Sequence, residues 1–337
     1  MCIKKYYMIQ RINFYKAILV KKIYSIFRRL GCCLLKHVSS RNIIYDFAIL
    51  ITRFANKMTY NLVYQYIDKY LGTLRYGKFD VISRAKSDFY GNVIWVCWLQ
   101  GQKHMPKLIR ICYQQLLRNA NGYKVILLTE KNISDYLTID DSLKNRIGKE
   151  ISFTAYSDLL RLNLLAFYGG VWIDSTYLLT SPLPDDFFSR SFYTLHKLQS
   201  CERQKTLAFV SEGRWTGNLI GCRPNYEPMM EIRNIFLGYW LLHNQIIDFF
   251  LIDHVINYVY NTNEFFKKDI DIIPITNSHS LALDDAWGEK WDETIWNHWV
   301  SDTCAFKLSR KHIVPEFVNE RLTNCGYVYH KYGKNIS

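Results

Sequence analysis

Asp158, Arg161 and Asp174 are the side chains whose types and spacing could do chemistry together in this chain. Asp158 and Arg161 stand three apart in Ser157-Asp158-Leu159-Leu160-Arg161, so on a helix they project from one face. Asp174 follows in Tyr168-Gly169-Gly170-Val171-Trp172-Ile173-Asp174-Ser175-Thr176, where a short apolar run delivers one carboxylate at its carboxyl end. Open α/β sheets bind ligands at that end of a strand. An arginine and two aspartates converging there suit a phosphorylated, metal-escorted, hydroxyl-rich ligand of the nucleotide-sugar kind. Taken apart, the same residues are an i,i+3 ion pair and an ordinary turn; their combination favours a site.

The elements that must position these groups are legible in the surrounding pattern. Leu159, Leu160, Leu162, Leu164, Leu165 and Phe167 cover most of the helix that carries Asp158 and Arg161, so that helix is largely buried. Gly169 suits the left-handed position that ends a helix, and Val171, Trp172 and Ile173 are good strand formers. Upstream, a strand over Val93–Leu99, a helix from Pro106 to about Asn119 and a strand over Tyr123–Thr129 make a βαβ unit. A short helix is expected around Ile133–Leu137 and a turn at Pro182-Leu183-Pro184. Strands are expected over Phe192–His196, Leu207–Val210 and Asn218–Cys222, and loops over Asn277–Ser280 and Asp284–Gly288. The apolar stretch Ile235–Tyr260 is interrupted by His243, Asp248, Asp253 and His254. Asp248 and Asp253 are either acceptor or catalytic groups on a cleft helix, or capping or paired carboxylates between packed helices. The absence of G-x-G-x-x-G and Walker-type loops argues against dinucleotide oxidoreductases and NTPases.

On these residues the chain resembles the DXD-type sugar transferases, whose core reads S-D-x-x-R followed by Y-G-G-[VI]-[WY]-[IL]-D. It is most similar to the bacterial capsular polysaccharide synthesis branch, related to glycosyltransferase family 32. Ile94-Trp95-Val96-Cys97-Trp98-Leu99-Gln100-Gly101 with Met105-Pro106 resembles the family's first strand and loop, and Lys307-Leu308-Ser309-Arg310-Lys311 its closing segment. The resemblance runs from about residue 90 to 315 and leaves residues 1–85 outside. It implies a GT-A-type, Rossmann-like α/β domain over residues 89–337 with a helical extension over 1–88. It also implies transfer of a sugar from a nucleoside-diphosphate donor, most simply a UDP-sugar, to a glycan or lipid-linked glycan, with retention of configuration. Trp95, Trp98, Gln100, Gly101, Asp158, Arg161, Gly170 and Asp174 would then bind the donor, and Asp158, Arg161 and Asp174 would be catalytic. Asn218, Asp248 and Asp253 would line the acceptor side. A divalent cation, Mn²⁺ or Mg²⁺, would rest on Asp174, weakly on Thr176 and on His330. Thr176 stands where the family motif carries its second aspartate, and a neutral hydroxyl is a weaker ligand for a hard cation. That departure leaves a catalytically silent nucleotide-sugar-binding or membrane scaffold protein as the rival expectation.

Charge divides the chain. Residues 1–86 hold 17 Lys and Arg against 3 Asp and Glu, whereas the remaining 251 hold 26 against 27. A neutral catalytic region argues against nucleic acid as a partner. Ile12, Tyr15, Leu19, Ile23, Ile26 and Leu30 recur at steps of three or four among lysines and arginines. They predict a basic amphipathic helix over 9–35, to be followed by one or two helices and a linker that ends near Asn92. That first helix either lies on an anionic membrane surface or packs on the domain. Nine cysteines, an odd number without C-x-x-C and without a signal-peptide pattern before them, suggest reduced thiols. The expected location is cytoplasmic, peripheral on the inner face of the membrane.

Overall fold

The computed structural model describes residues 2–37, 43–85, 92–197 and 210–334. Two long helices, α1 (Cys2–His37) and α2 (Ile43–Tyr70), come first. They are followed by β1 (Ile82–Arg84), β2 (Val93–Cys97), α3 (Lys107–Arg118), β3 (Lys124–Leu128) and β4 (Leu137–Ile139). Next come α4 (Phe153–Tyr168), β5 (Gly170–Ile173), β6 (Tyr177–Leu179), β7 (Phe192–Thr194) and β8 (Leu219–Cys222). Helices α5 (Glu227–Leu242) and α6 (Leu251–Thr262) and strand β9 (Ala305–Lys307) complete the elements that bear on the site.

The central sheet is mixed, in the order β3-β2-β5-β8-β7. β2 runs parallel to both β3 and β5, while β8 is antiparallel to β5 and β7. The fold is therefore a mixed α/β architecture, and the βαβ unit read from the sequence is its β2-α3-β3 portion. β2 is buried on both faces. Trp95 joins the core formed with α4, α5 and α6, whereas Ile94 and Val96 face a second core beneath α3.

Helix α4 starts at Ser152, whose hydroxyl accepts from the Ala155 N–H at 3.2 Å. It stops at Gly169, which has the positive φ expected from the sequence but ψ near −152°. That places Gly169 in a mirror-extended region reserved for glycine, not in the left-handed helical one. Gly170 also has positive φ, and a Cβ there would lie 2.5 Å from the Val93 carbonyl oxygen. The pair lets a buried helix turn straight into a buried strand.

Three expectations need correction. The region read as a linker after α2 contains β1, which pairs antiparallel with β4 and buries Ile82 completely. The short helix expected at Ile133–Leu137 is one 3₁₀ turn, Ile133–Asp135, followed by β4. The loop expected at Asp284–Gly288 shares a helical turn, Ala282–Asp285. The strand expected over Leu207–Val210 falls on residues outside the described ones.

Helices α1 and α2 form an antiparallel hairpin, because Asn13 donates to the Tyr70 hydroxyl at 2.7 Å while Gly31 abuts Ala48 and Thr52. The hairpin is anchored at His243. Its ring stacks on Phe14 with centroids 3.9 Å apart, and its Nε2 lies 3.0 Å from the Tyr66 hydroxyl. Burial pushes the His243 imidazole down from 6.5 to about 4, so it is neutral in the folded protein. An unfolded chain takes up this proton near pH 6.5, so the contribution is full above that pH and is lost as pH falls towards 4. We expect the stability loss between pH 7 and pH 5, measured by denaturant unfolding, to be about 1–2 kcal/mol larger in the wild type than in His243→Phe. Equal losses would show that the imidazole is not a buried neutral anchor.

Candidate active site

Because β2 and β5 are parallel neighbours, their carboxyl ends open on one edge of the sheet. A cleft of about 330 Å³ lies there, lined among others by Cys97, Trp98, Gln100, Ser157, Asp158, Arg161, Trp172, Asp174, Thr176, Lys307 and Arg310. A wider hollow of about 740 Å³ adjoins it through Leu99 and Gln100 and carries Gly101, Lys103, His104, Arg110 and Lys131.

Arg161 organises the cleft. It is buried, and one guanidinium nitrogen donates to the Gly217 carbonyl oxygen at 2.7 Å and lies 3.2 Å from Asp158 Oδ1. The other donates to Asp174 Oδ1 at 3.0 Å. The same Asp174 oxygen accepts from Trp172 Nε1 at 2.9 Å, and the guanidinium carbon lies 5.0 Å from the Trp172 ring centre. The one helical turn between Asp158 and Arg161 makes their pairing local. The contact with Asp174 needs the glycine pair, which brings the end of β5 back alongside α4. Asp174 is further fixed by its own N–H, which donates to the Asn218 carbonyl at 2.9 Å.

A second cation arrives from far along the chain. β9 pairs antiparallel with β6, with Tyr177 opposite Lys307. The Lys307 ammonium therefore donates to the Thr176 hydroxyl at 2.7 Å and sits 4.0 Å from Asp174 Oδ2. Arg310 lies over Trp98, 5.7 Å from the ring centre. The cleft thus has carboxylates on the α4 and β5 side and cations on the β9 side.

Burial controls the protonation states. It pushes the Asp158 carboxyl up to about 7 against the pull of Arg161, with Asp174 and Asp253 adding to the rise. The ion-pair geometry and that rise point in opposite directions. The burial dominates, because one guanidinium is shared among two carboxylates and a carbonyl. Asp253, half-buried on α6, accepts from Trp215 Nε1 at 3.0 Å. Its carboxyl is pushed up by burial despite that bond. Burial, then Lys307, holds the Lys197 ammonium down to about 8. The Cys97 thiol is pushed up to about 12 by burial, with Asp174 adding to it, so it stays protonated and is no nucleophile at neutral pH.

The residues predicted from sequence divide into those the fold assembles and those it does not. Asp158, Arg161, Asp174, Trp98, Gln100 and Thr176 share the cleft, and Gly101 lines the adjoining hollow. Trp95 lies deeper: it is fully buried and its indole N–H donates to the Gly169 carbonyl at 3.0 Å. Gly170 faces Val93 and Trp95 beneath the cleft. The Asn218 amide oxygen accepts from the Tyr177 hydroxyl at 2.7 Å. Asp248 pairs with Lys21 at 3.1 Å and approaches His254, away from the cleft lining. His330 lies 3.2 Å from Glu316 and is not brought to Asp174. Sequence reasoning missed Trp172 as a hydrogen-bond donor, the Gly217 carbonyl, Trp215 and the role of Lys307. Of these, Trp172 and Lys307 lay in segments singled out by motif, but nothing local showed what either side chain would touch.

A divalent cation fits this donor set only in a minimal way. Among the described residues no group of three or more His, Cys, Asp or Glu could hold one. Asp174 Oδ1 and the Thr176 hydroxyl are engaged, which leaves Asp174 Oδ2 as the oxygen facing the cleft. Mg²⁺ is often held through one or two carboxylates with phosphates and water completing the shell, so a ligand-borne ion is compatible with this geometry.

Comparison with known proteins gives one broad match and two partial ones. Residues 42–325 match the family described as capsular polysaccharide synthesis protein. The match extends below residue 90 to take in α2, wider than the motif resemblance, and leaves α1 outside. An uncharacterized glycosyltransferase of Acanthamoeba polyphaga mimivirus is 24% identical over 149 residues, 43% of this chain and 55% of that protein. Subversion of eukaryotic traffic protein A of Legionella pneumophila is 35% identical over 63 residues, 18% of this chain and 10% of that protein. The chain thus spans about half and about a tenth of the lengths of these curated relatives. No solved structure matches it.

Arg161→Lys should lower stability by roughly 2–4 kcal/mol, because one ammonium cannot hold the Gly217 carbonyl and both carboxylates at once. Denaturant unfolding measures this, and a change under about 0.5 kcal/mol, the scale of an ordinary surface substitution, would show that the guanidinium fork does not organise the cleft.

Proposed function

Because the chain belongs to the capsular polysaccharide synthesis protein family, we propose that it is a retaining glycosyltransferase. It moves a sugar from a nucleoside diphosphate, UDP in the simplest case, to a hydroxyl of a growing cell-surface glycan. The observation that carries this reading is the Arg161 clamp, which holds Asp158 and Asp174 at the strand-end cleft opposite Lys307 and Arg310. The name of the mimivirus relative supports it. The mixed sheet, with a parallel βαβ unit followed by antiparallel β8, is compatible with a GT-A-type fold.

In this reading the nucleotide lies in the hollow beyond Gln100 and Gly101, and its diphosphate reaches the cationic wall. As the glycosidic bond breaks, negative charge develops on the diphosphate, and Lys307 and Arg310 stabilise it. A divalent ion held by Asp174 and phosphate oxygens would add further positive charge there. Asp158 and Arg161 bind the donor sugar's hydroxyls and fix the attitude of its anomeric carbon. The acceptor hydroxyl attacks from the face the leaving group vacates. Its proton can pass to the departing diphosphate, so no dedicated base is assigned.

Purified full-length chain should release nucleoside diphosphate from at least one sugar nucleotide in a panel assayed with and without Mn²⁺. Asp174→Asn should abolish this release while leaving a chain that still unfolds cooperatively, because the amide oxygen of Asn can keep the hydrogen bonds from Arg161 and Trp172 at this partly exposed strand end. Asp158→Ala should lower turnover by about 10²-fold or more, the scale for losing a group that positions the reacting centre. Activity of Asp174→Asn above about a tenth of wild type, a loss under about 1.4 kcal/mol, would overturn the assignment. Binding of a sugar nucleotide without turnover would make the protein a silent binder.

A further inference from the structure

The α1–α2 hairpin continues past its anchor. Tyr60 on α2 accepts from Asn257 on α6 at 2.7 Å and lies near His254, and Tyr64 meets Tyr258 with ring centres 5.5 Å apart. The two helices therefore run in the same direction. The start of α6 lies on the cleft side, where Asp253 lies against Gly217, whose carbonyl holds Arg161. Residues 43–59 of α2 thus extend beyond the cleft-bearing edge, and α1 runs with them past the Lys21–Asp248 pair. Among the described residues of α1 after Lys21, only Gly31 is buried, and it faces α2. The outer part of α1, residues 22–37, is about 24 Å long at 1.5 Å per residue.

This projecting part is apolar on its outer faces. On α1, Leu19, Ile23, Ile26 and Leu30 are 49–64% exposed, opposite the side that packs on α2. On α2, Ile43, Phe47, Leu50 and Phe54 are 57–82% exposed. Arg11, Lys22 and Arg29 recur at eleven and seven residues, close to whole turns, so they form one exposed cationic edge beside the α1 stripe. Lys16 flanks its other side, and α1 contains no Asp or Glu at all. A second copy of this chain fits less well, because the surface over 19–37 and 43–57 offers a partner's cationic edges a single exposed carboxylate, Asp46 on α2, against Lys22, Arg29, Arg53 and Lys57. Among the described residues no helix is long and apolar enough to cross a membrane.

We propose that residues 19–37 and 43–57 form a docking surface for an anionic phospholipid bilayer. The apolar stripes sink to the level of the headgroups while the cationic edges meet lipid phosphates. The same attachment holds the cleft-bearing edge towards the membrane, which suits an acceptor carried on a lipid if the transferase reading stands.

The full-length chain should co-sediment with vesicles of phosphatidylglycerol and phosphatidylethanolamine in 0.1 M salt, and roughly tenfold less with phosphatidylcholine vesicles or in 1 M salt. Combining Leu19→Ser, Ile23→Ser and Ile26→Ser should weaken binding at least about tenfold, and so should Lys22→Glu with Arg29→Glu. All these side chains are exposed, so the variants should keep the wild-type melting temperature and the wild-type rate of sugar-nucleotide hydrolysis in solution. The vesicle assay contains no sugar nucleotide, so it succeeds or fails independently of the transferase reading. No binding by the wild type, or undiminished binding by both variants, would overturn the proposal. So would a lipid-free dimer in analytical ultracentrifugation that the serine variant abolishes, which would assign the surface to a second copy.

Discussion

The Arg161 guanidinium is the constraint on which the rest of the site depends. It is buried among two carboxylates, a carbonyl and an indole that come from α4, the end of β5 and the loop before β8. A buried cation costs several kcal/mol to desolvate unless its partners surround it. Each of these segments must therefore reach Arg161 in the right register, and the carboxylates gain a fixed geometry in return. With Asp174 Oδ1 bound to both Arg161 and Trp172, its other oxygen is turned to the cleft. A ligand that binds there meets oxygens already oriented, Asp158 buried and Asp174 partly open to solvent.

The backbone around this cation is correspondingly tight. Gly169 and Gly170 turn α4 into β5 where a Cβ would strike Pro224 or Val93. Gly221 in β8 passes so close to β5 that a Cβ would lie 2.3 Å from the Gly170 carbonyl oxygen. These close approaches bring β8, and with it the Gly217 and Asn218 carbonyls, to Arg161 and Asp174. The pairing of β6 with β9 then closes the opposite wall with Lys307. The result is an asymmetric cleft, with carboxylates on one wall and the Lys307 and Arg310 cations on the other.

The amino-terminal hairpin follows different physics. Its inner end is held by rings and neutral polar groups, Phe14 on His243 and Tyr66, and Tyr60 with Asn257. Its outer end has apolar and cationic side chains facing water. The whole of the chain's net positive charge resides in residues 1–86, so the region that carries the cleft is close to neutral while the hairpin is strongly basic.

What the sequence determined by itself is local. A leucine-rich stretch with Asp158 and Arg161 three apart can only put both on one helical face, and Tyr-Gly-Gly before Val-Trp-Ile-Asp can only end that helix and begin a strand. The βαβ unit and the amphipathic α1 were legible for the same reason, since their periodicities are written within one element. Depth was not legible. Trp95 and Trp98 look alike in the motif, yet Trp95 lies within β2, under the cleft, and Trp98 lies just past its end. Contacts between distant segments were not legible either. Lys307 meets Thr176 across 131 residues, His330 pairs with Glu316 and not with Asp174, and β1 finds β4 where the sequence shows only a linker. Those choices depend on which strands share a sheet edge and in what register. Only the packed tertiary structure settles that, because the free energy that selects one pairing comes from burying all of them at once.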